Sequence, residues 1–268
     1  MTDRIVTLVD NCVYGRNLKA EHGLSLYIEL GGKKILFDTG STDLFIQNAH
    51  QLNIDLREVD YLVLSHGHSD HTGGLHAFLS YNQKAKVVCK RGIFDRKFKG
   101  PRENGMKDIS KLDLTRFIFV KHLIELVPGI FIFTDLQIAN QEDTHFDHFD
   151  IVRNGERIPD TFDEELALAI VKGNEMTILS ACSHRGITNI LTSILSVFHE
   201  KHLSMVIGGY HIHLAGPEKS NLIADYFQHY PDCKVGVCHC TGVDQYARLC
   251  ARLGERVFYN HVGLQHSI

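Results

Sequence analysis

The sequence predicts a layered α/β fold in which two mixed β-sheets pack face to face with helices outside. Three observations carry this expectation. Apolar strand-like runs recur along the whole chain, helical patterns follow many of them, and several end in His, Cys or Asp at the turn into the next helix. No Ser/Pro/Gly-rich tract divides the chain, so residues 1–268 read as one domain with its site at the joint edge of the sheets.

Each element has a local reason. Arg4 to Asn11, Leu24 to Leu30 and Lys33 to Gly40 are β-rich, and Gly31-Gly32 marks a hairpin between the last two. Thr42 to Leu52 has helical spacing behind Ser41 or Thr42 as N-cap. The run YLVLS reads as a buried strand ending at His66; a helix over Thr72 to Leu79 and a strand over Ala85 to Lys90 follow. Residues 91–111 break the pattern, have no period and are rich in Lys and Arg, so they read as an exposed basic insertion near the site. Strands resume with RFIFV, HLIEL and GIFIFTD, before a second irregular stretch over residues 140–162. The last third alternates strand and helix, with helices over Gly186 to His199, Pro217 to His229 and Gly242 to Leu253.

The bulk properties exclude several classes. A formal charge of −4 offers no general polycation, so nucleic acid is not an expected partner. No run of 18 apolar residues is present and the N-terminus lacks signal-peptide character, so no membrane association is expected. Seven scattered cysteines, an odd number, fit free thiols in a reducing cytoplasm better than a disulfide framework. Oligomeric state is left open.

The chemistry concentrates in LSHGHSDHTGG. His66 and His68, two apart on an extended tip, point the same way and can hold one cation; Asp70 and His71 can serve a second. Several polar rings this close make little sense in a core, where each would need a partner. Downstream segments repeat the arrangement: Cys182 and His184, His211 and His213, and Cys238, His239 and Cys240 each follow an apolar run, as Asp38 does upstream. His145 and His148 lie in an acidic, turn-rich context that favours a solvated loop, while His22, His50, His76 and His122 read as surface or structural histidines. Cys233, Cys238, Cys240 and Cys250 contain no CxxC pair, which argues against an iron–sulfur site.

HxHxDH after an apolar strand, with strand-Asp-Thr-Gly upstream, resembles the metallo-β-lactamase fold superfamily, which implies a four-layer αββα sandwich. Asp10-Asn11, Asp163-Glu164, CSH-x-GI-x-N, GG-x-H and HCTG resemble a narrower branch, similar to the dihydropterin-ribofuranosyl-aminobenzene-phosphate synthase-like proteins. The resemblance implies one or two divalent metal ions, usually zinc and sometimes iron or manganese. It implies His66 and His68 for the first ion, Asp70 and His71 for the second, and His239 as the last histidine. The family's third histidine has no counterpart in VPGIF, and SACSH replaces its bridging aspartate. His184 is assigned as the missing ligand with Cys182 as the alternative. His211 and Asp38 are candidates for ligation or for support behind the ligands.

The implied activity is hydrolysis of a small anionic, phosphate-bearing substrate by a metal-activated hydroxide, with Asp70 as the catalytic carboxylate. Candidate substrate contacts are Asn11, Asp163 and Glu164, with Arg91 and Arg96 in the basic insertion suited to phosphate. The alternatives are a metal-binding sensor with little turnover and a di-iron redox protein.

Overall fold

The apolar runs of the first third pair into one seven-stranded sheet. Its spatial order is Gln265–Ser267, Arg4–Val9, Ser25–Leu30, Lys33–Phe37, Tyr61–Val63, Lys86–Cys89 and Phe117–Phe119. The chain is described by a computed structural model over residues 3–268; Met1 and Thr2 of the expected domain lie outside the described residues. Gly31 and Gly32, with φ of +56° and +78°, make the tight hairpin expected between the two strands that flank them. The four strands from Lys33–Phe37 to Phe117–Phe119 are parallel neighbours, so their carboxyl ends share one edge. Leu44–Gln51 and Leu75–Tyr81 cover the sheet by burying Phe45, Ala49, Leu75 and Phe78 against Leu8, Leu36 and Leu62.

The helix expected over Thr72 to Leu79 is broken into Ser69–Thr72 and Leu75–Tyr81. The break is steric. A Cβ on Gly73 would stand 2.1 Å from the Ser41 carbonyl oxygen, and one on Gly74 would stand 2.4 Å from that of Thr42. The pair of glycines lets the histidine motif lie directly on the turn after Asp38.

These elements belong to a compact unit that runs to Lys121 and includes Phe146–Glu164 and His261–Ile268. A second unit comprises His122–His145 and Glu165–Asn260. Its seven-stranded sheet has the order Val257–Tyr259, Lys234–Val237, His202–Gly208, Glu175–Leu179, Ala167–Lys172, Ile130–Phe133 and Ile124–Val127. The first four strands of that order are again parallel neighbours. The helices Ile187–Val197, Pro217–Gln228 and Val243–Leu253 follow the expected positions within two residues at each end.

The irregular reading of the basic insertion and of the second loop is corrected. Arg96–Lys99 and Arg102–Glu103 join Phe149–Arg153 and Glu156–Pro159 in a four-stranded antiparallel sheet of the first unit. Alternation then decides each basic side chain. Arg96 faces out to a bidentate pair with Glu103 at 2.8 and 2.9 Å. Lys97 turns in, is 1% exposed, and places Nζ 2.6 Å from both Asp160 Oδ2 and Glu164 Oε1. Burial disfavours the Lys97 ammonium, but the two carboxylates override it and hold its pKa above the ordinary lysine value.

Removing one partner of a buried ion cluster leaves charge uncompensated, at a cost of about 3–5 kcal/mol. Lys97→Met is expected to destabilise the first unit by that amount in urea unfolding, whereas Arg96→Gln at the surface should cost less than about 1 kcal/mol. Equal midpoints for the two variants would refute this account.

Candidate metal centre

In the first unit the site begins with Asp38, one residue past the strand Lys33–Phe37. Its carboxylate is fully buried and accepts three hydrogen bonds, from Ser65 N at 2.8 Å, Ser65 Oγ at 2.6 Å and His71 Nδ1 at 2.7 Å. The Ser65 hydroxyl has a single proton, which goes to Asp38. Ser65 Oγ must therefore accept from His66 Nδ1, 2.9 Å away. Both His66 and His71 then carry their proton on Nδ1 and keep a lone pair on Nε2. This is the tautomer that an outer carboxylate sets for a metal ligand.

His66 Nε2 lies 3.2 Å from His68 Nδ1, and the His66 and His71 ring centroids are 4.3 Å apart. Two nitrogens bound tetrahedrally to zinc at about 2.1 Å would stand roughly 3.4 Å apart, so the pair has chelating spacing. Burial, and after it the neighbouring His71 and His68, pushes the His66 pKa far below its usual value. Burial likewise pushes His68 down to about 3. Neutral imidazoles are the metal-binding form, and the donor set fits a divalent ion.

Asp70 stands at the rim, with Oδ2 3.8 Å from His71 Nε2 and 3.2 Å from His22 Nε2. His22 Nδ1 is in turn 3.1 Å from Asn11 Nδ2, so Asn11 supports His22. Sequence reading placed His22 among surface or structural histidines. It is exposed, but it is also the ring that holds Asp70.

In the second unit the carboxyl ends of parallel strands bring the remaining candidates together. Cys182, His184 and His211 offer donor atoms within 4.8 Å of one another, as do Cys182, His239 and Cys240. Ser183, His211 and His239 adopt left-handed backbone angles of +56°, +49° and +48°, and Asp38 in the first unit has +61°. Each such non-glycine residue costs on the order of 1–3 kcal/mol, a concentration of strain found at functional turns.

The three turns interlock. A Cβ on Gly209 would lie 2.5 Å from Cys240 Sγ and 2.7 Å from the Ala181 oxygen, which accounts for Gly208-Gly209. Glu165, buried behind the turn, accepts from the backbone N–H groups of His184 and Arg185 at 2.8 Å each. The sequence offers the adjacent Asp163 and Glu164 as substrate contacts and gives no sign of this role for Glu165. Asp163 is exposed, and Glu164 accepts from Gly67 N at 3.3 Å beneath the histidine motif while receiving Lys97.

His145 corrects another expectation. Rather than lying in a solvated loop, its backbone donates to His184 O at 2.8 Å, and burial lowers its pKa to about 3. His148 is exposed as expected.

Comparison with known proteins agrees with this geometry. The model of the metallo-β-lactamase superfamily matches residues 18–157. The chain belongs to that superfamily. It is 30% identical to the uncharacterised protein MJ0448 of Methanocaldococcus jannaschii, over 97% of this chain and 98% of that one. A second protein of the same organism, named 7,8-dihydropterin-6-methyl-4-(β-D-ribofuranosyl)-aminobenzene-5′-phosphate synthase, is 30% identical over 89% of this chain and 87% of its own length. The crystal structure of Tm1679, described as a metal-dependent hydrolase of the β-lactamase superfamily, superposes with a TM-score of 0.88 at 29% identity, covering 99% of each chain. The metallo-β-lactamase fold expected from the sequence is thereby shown.

Asp38→Asn keeps the volume of the side chain but replaces one acceptor oxygen with a donor, disturbing the His71 and Ser65 bonds. Apparent metal affinity, measured by chelator competition, should fall about 10–100-fold with the fold retained. Unchanged affinity would remove Asp38 from the support of the site.

Proposed function

We propose that this chain is a metal-dependent hydrolase of a small, phosphate-bearing substrate. The observation that carries the reading is the chelating pair His66 and His68 beside a His71 whose tautomer Asp38 sets. The proposed ligands are His66, His68, Asp70 and His71 of the first unit and His184 and His239 of the second, with Cys182 as the soft alternative. His211, next to His184 at 4.3 Å between ring centroids, is placed as a contact that orients ligand or substrate.

Imidazole, carboxylate and thiolate donors together suit zinc, ahead of iron or manganese. Held by these residues, a divalent ion would lower the pKa of water from about 16 toward 7 and so supply a nucleophile at neutral pH. Asp70, held by His22, would be the carboxylate that accepts a proton from the attacking water and passes it to the leaving group. The buried rings of His66, His68 and His71 exclude bulk water from that step.

Superfamily membership supports the hydrolase class. The 5′-phosphate in the name of one relative supports a phosphate-bearing substrate. Seven cysteines free of disulfides support a reducing, cytoplasmic setting, and among the described residues no helix is long and apolar enough to cross a membrane.

Dialysis against a chelator should abolish turnover on phosphate-ester and lactone panels, and zinc should restore it. His68→Ala should lose metal by elemental analysis and lose more than the roughly 100-fold in rate that outer-shell changes cause. Full turnover by chelated protein, or His68→Ala with parental metal content, would sink the proposal.

A further inference from the structure

The carboxyl edge of the first sheet carries a second group of charges beside the histidine motif. The parallel strands Lys33–Phe37 and Tyr61–Val63 lead to Asp38 and His66. The next two strands in the same sheet, Lys86–Cys89 and Phe117–Phe119, lead to Lys90-Arg91 and Val120-Lys121. Open α/β sheets bind ligands at the carboxyl ends of such strands. Here a cavity of about 260 Å³ lies between these last turns, lined by Lys90, Arg91, Phe119, Lys121, Arg153 and Glu164 among others.

The charge balance of this cavity is one-sided. Four of its lining residues are basic, and two, Asp163 and Glu164, are acidic. Both acids already face cations: Asp163 Oδ2 is 3.6 Å from Arg153 Nη1, and Glu164 Oε1 is 2.6 Å from Lys97 Nζ. Arg153 is further held by Asp95 at 3.0 Å. The Arg91 guanidinium rests 4.1 Å from the Phe119 ring centroid, and neither it nor Lys121 has a carboxylate partner among the described residues. An arginine immobilised on an aromatic face keeps its donors for a planar or tetrahedral anion. A lysine across the cavity adds a point charge.

We infer that this cavity binds the phosphate group of the substrate, anchoring it beside the metal motif. The inference rests on the hydrolase reading for what is bound, although binding at the cavity itself requires no metal. The fit is one of scale. Adjacent strands lie about 4.8 Å apart, so the Arg91 and Lys121 turns stand one and two strands from His66, roughly 5–10 Å. Glu164 is the shared wall: it lines the cavity and accepts from Gly67 N within the histidine motif. A phosphate anchored there leaves a bond several atoms away to be cleaved, and is itself not the reacting group.

Inorganic phosphate is titrated calorimetrically into the full chain, both as purified and after chelator dialysis. The doubly substituted Arg91→Gln/Lys121→Gln protein should bind phosphate at least about tenfold more weakly in both forms, since one charge-assisted contact is worth about that much. His68→Ala should bind it as the parent does. On a lactone or carboxylic ester that carries a phosphate several atoms from the cleaved bond, the double variant should raise KM about tenfold and leave kcat within twofold, with an unchanged circular dichroism spectrum. Parent-like phosphate affinity in the double variant, no phosphate binding by the parent, or binding that disappears on chelation would each overturn the inference. Loss of phosphate binding in the double variant of a protein that hydrolyses nothing would instead overturn the hydrolase reading and leave the anion site standing.

Discussion

The buried carboxylate of Asp38 organises the histidine cluster of the first unit. An ionised group out of water is tolerated only where hydrogen bonds replace its hydration. Asp38 obtains three, all from one edge of the sheet: two from Ser65 on the neighbouring strand end and one from His71 in the helix that follows. Satisfying that single group therefore sets the register of the turn, the angle of the short helix and the tautomers of two histidines together. Thr39 reinforces it, since both its N–H and its hydroxyl donate to His71 O, at 2.8 and 2.9 Å. The backbone strain at Asp38 is offset by these bonds.

The second unit reaches the same kind of convergence by packing. Its strand ends approach so closely that a glycine is required at Gly209, and Cys240 Sγ accepts from the His211 N–H at 3.3 Å. Ser183 Oγ donates to Gly209 O at 2.7 Å, tying the SACSH turn to the GGYH turn. The thiols divide by position. Burial raises Cys89 and Cys233 to about 12, which leaves them protonated packing groups, whereas Cys182 and Cys240 lie among the imidazoles.

What the chain displays locally was legible in its sequence, and what it assembles over distance was not. Apolar runs ending in His or Cys announced the parallel strands, because a fully buried strand leaves an uninterrupted hydrophobic signature. Arg96–Lys99 left none: RKFK becomes a strand by pairing with Arg102–Glu103 and with Phe149–Arg153, the second of these far along the chain. His145 looked solvated beside its acidic neighbours, yet the buried carboxyl of Asp143 is pushed up to about 6 and caps Thr188 instead of facing water. Asp163, Glu164 and Glu165 are adjacent in sequence and differ in fate by orientation alone, which composition cannot resolve. His66, His68 and His71 stand together as their spacing in the sequence implies, while the supporting contacts of His22, Glu165 and Lys97 depend on tertiary neighbours.

Lys97 shows that the motif and the basic segment are one structure. A Cβ at Gly67 would stand 2.7 Å from both Lys97 Cε and the Ile93 oxygen, so the residue between His66 and His68 must be glycine while that lysine is in place. Lys97 stays because Asp160 and Glu164 neutralise it in a buried setting, and Glu164 stays because Lys97 and the Gly67 N–H satisfy it. The 3.2 Å approach of His66 and His68 is thus backed by a closed set of charges in which every member needs the others. The same segment turns Arg91 and Arg96 outward while spending Lys97 inward. Its basic composition serves two separate ends, a buried floor under the histidine motif and a charged edge beside it.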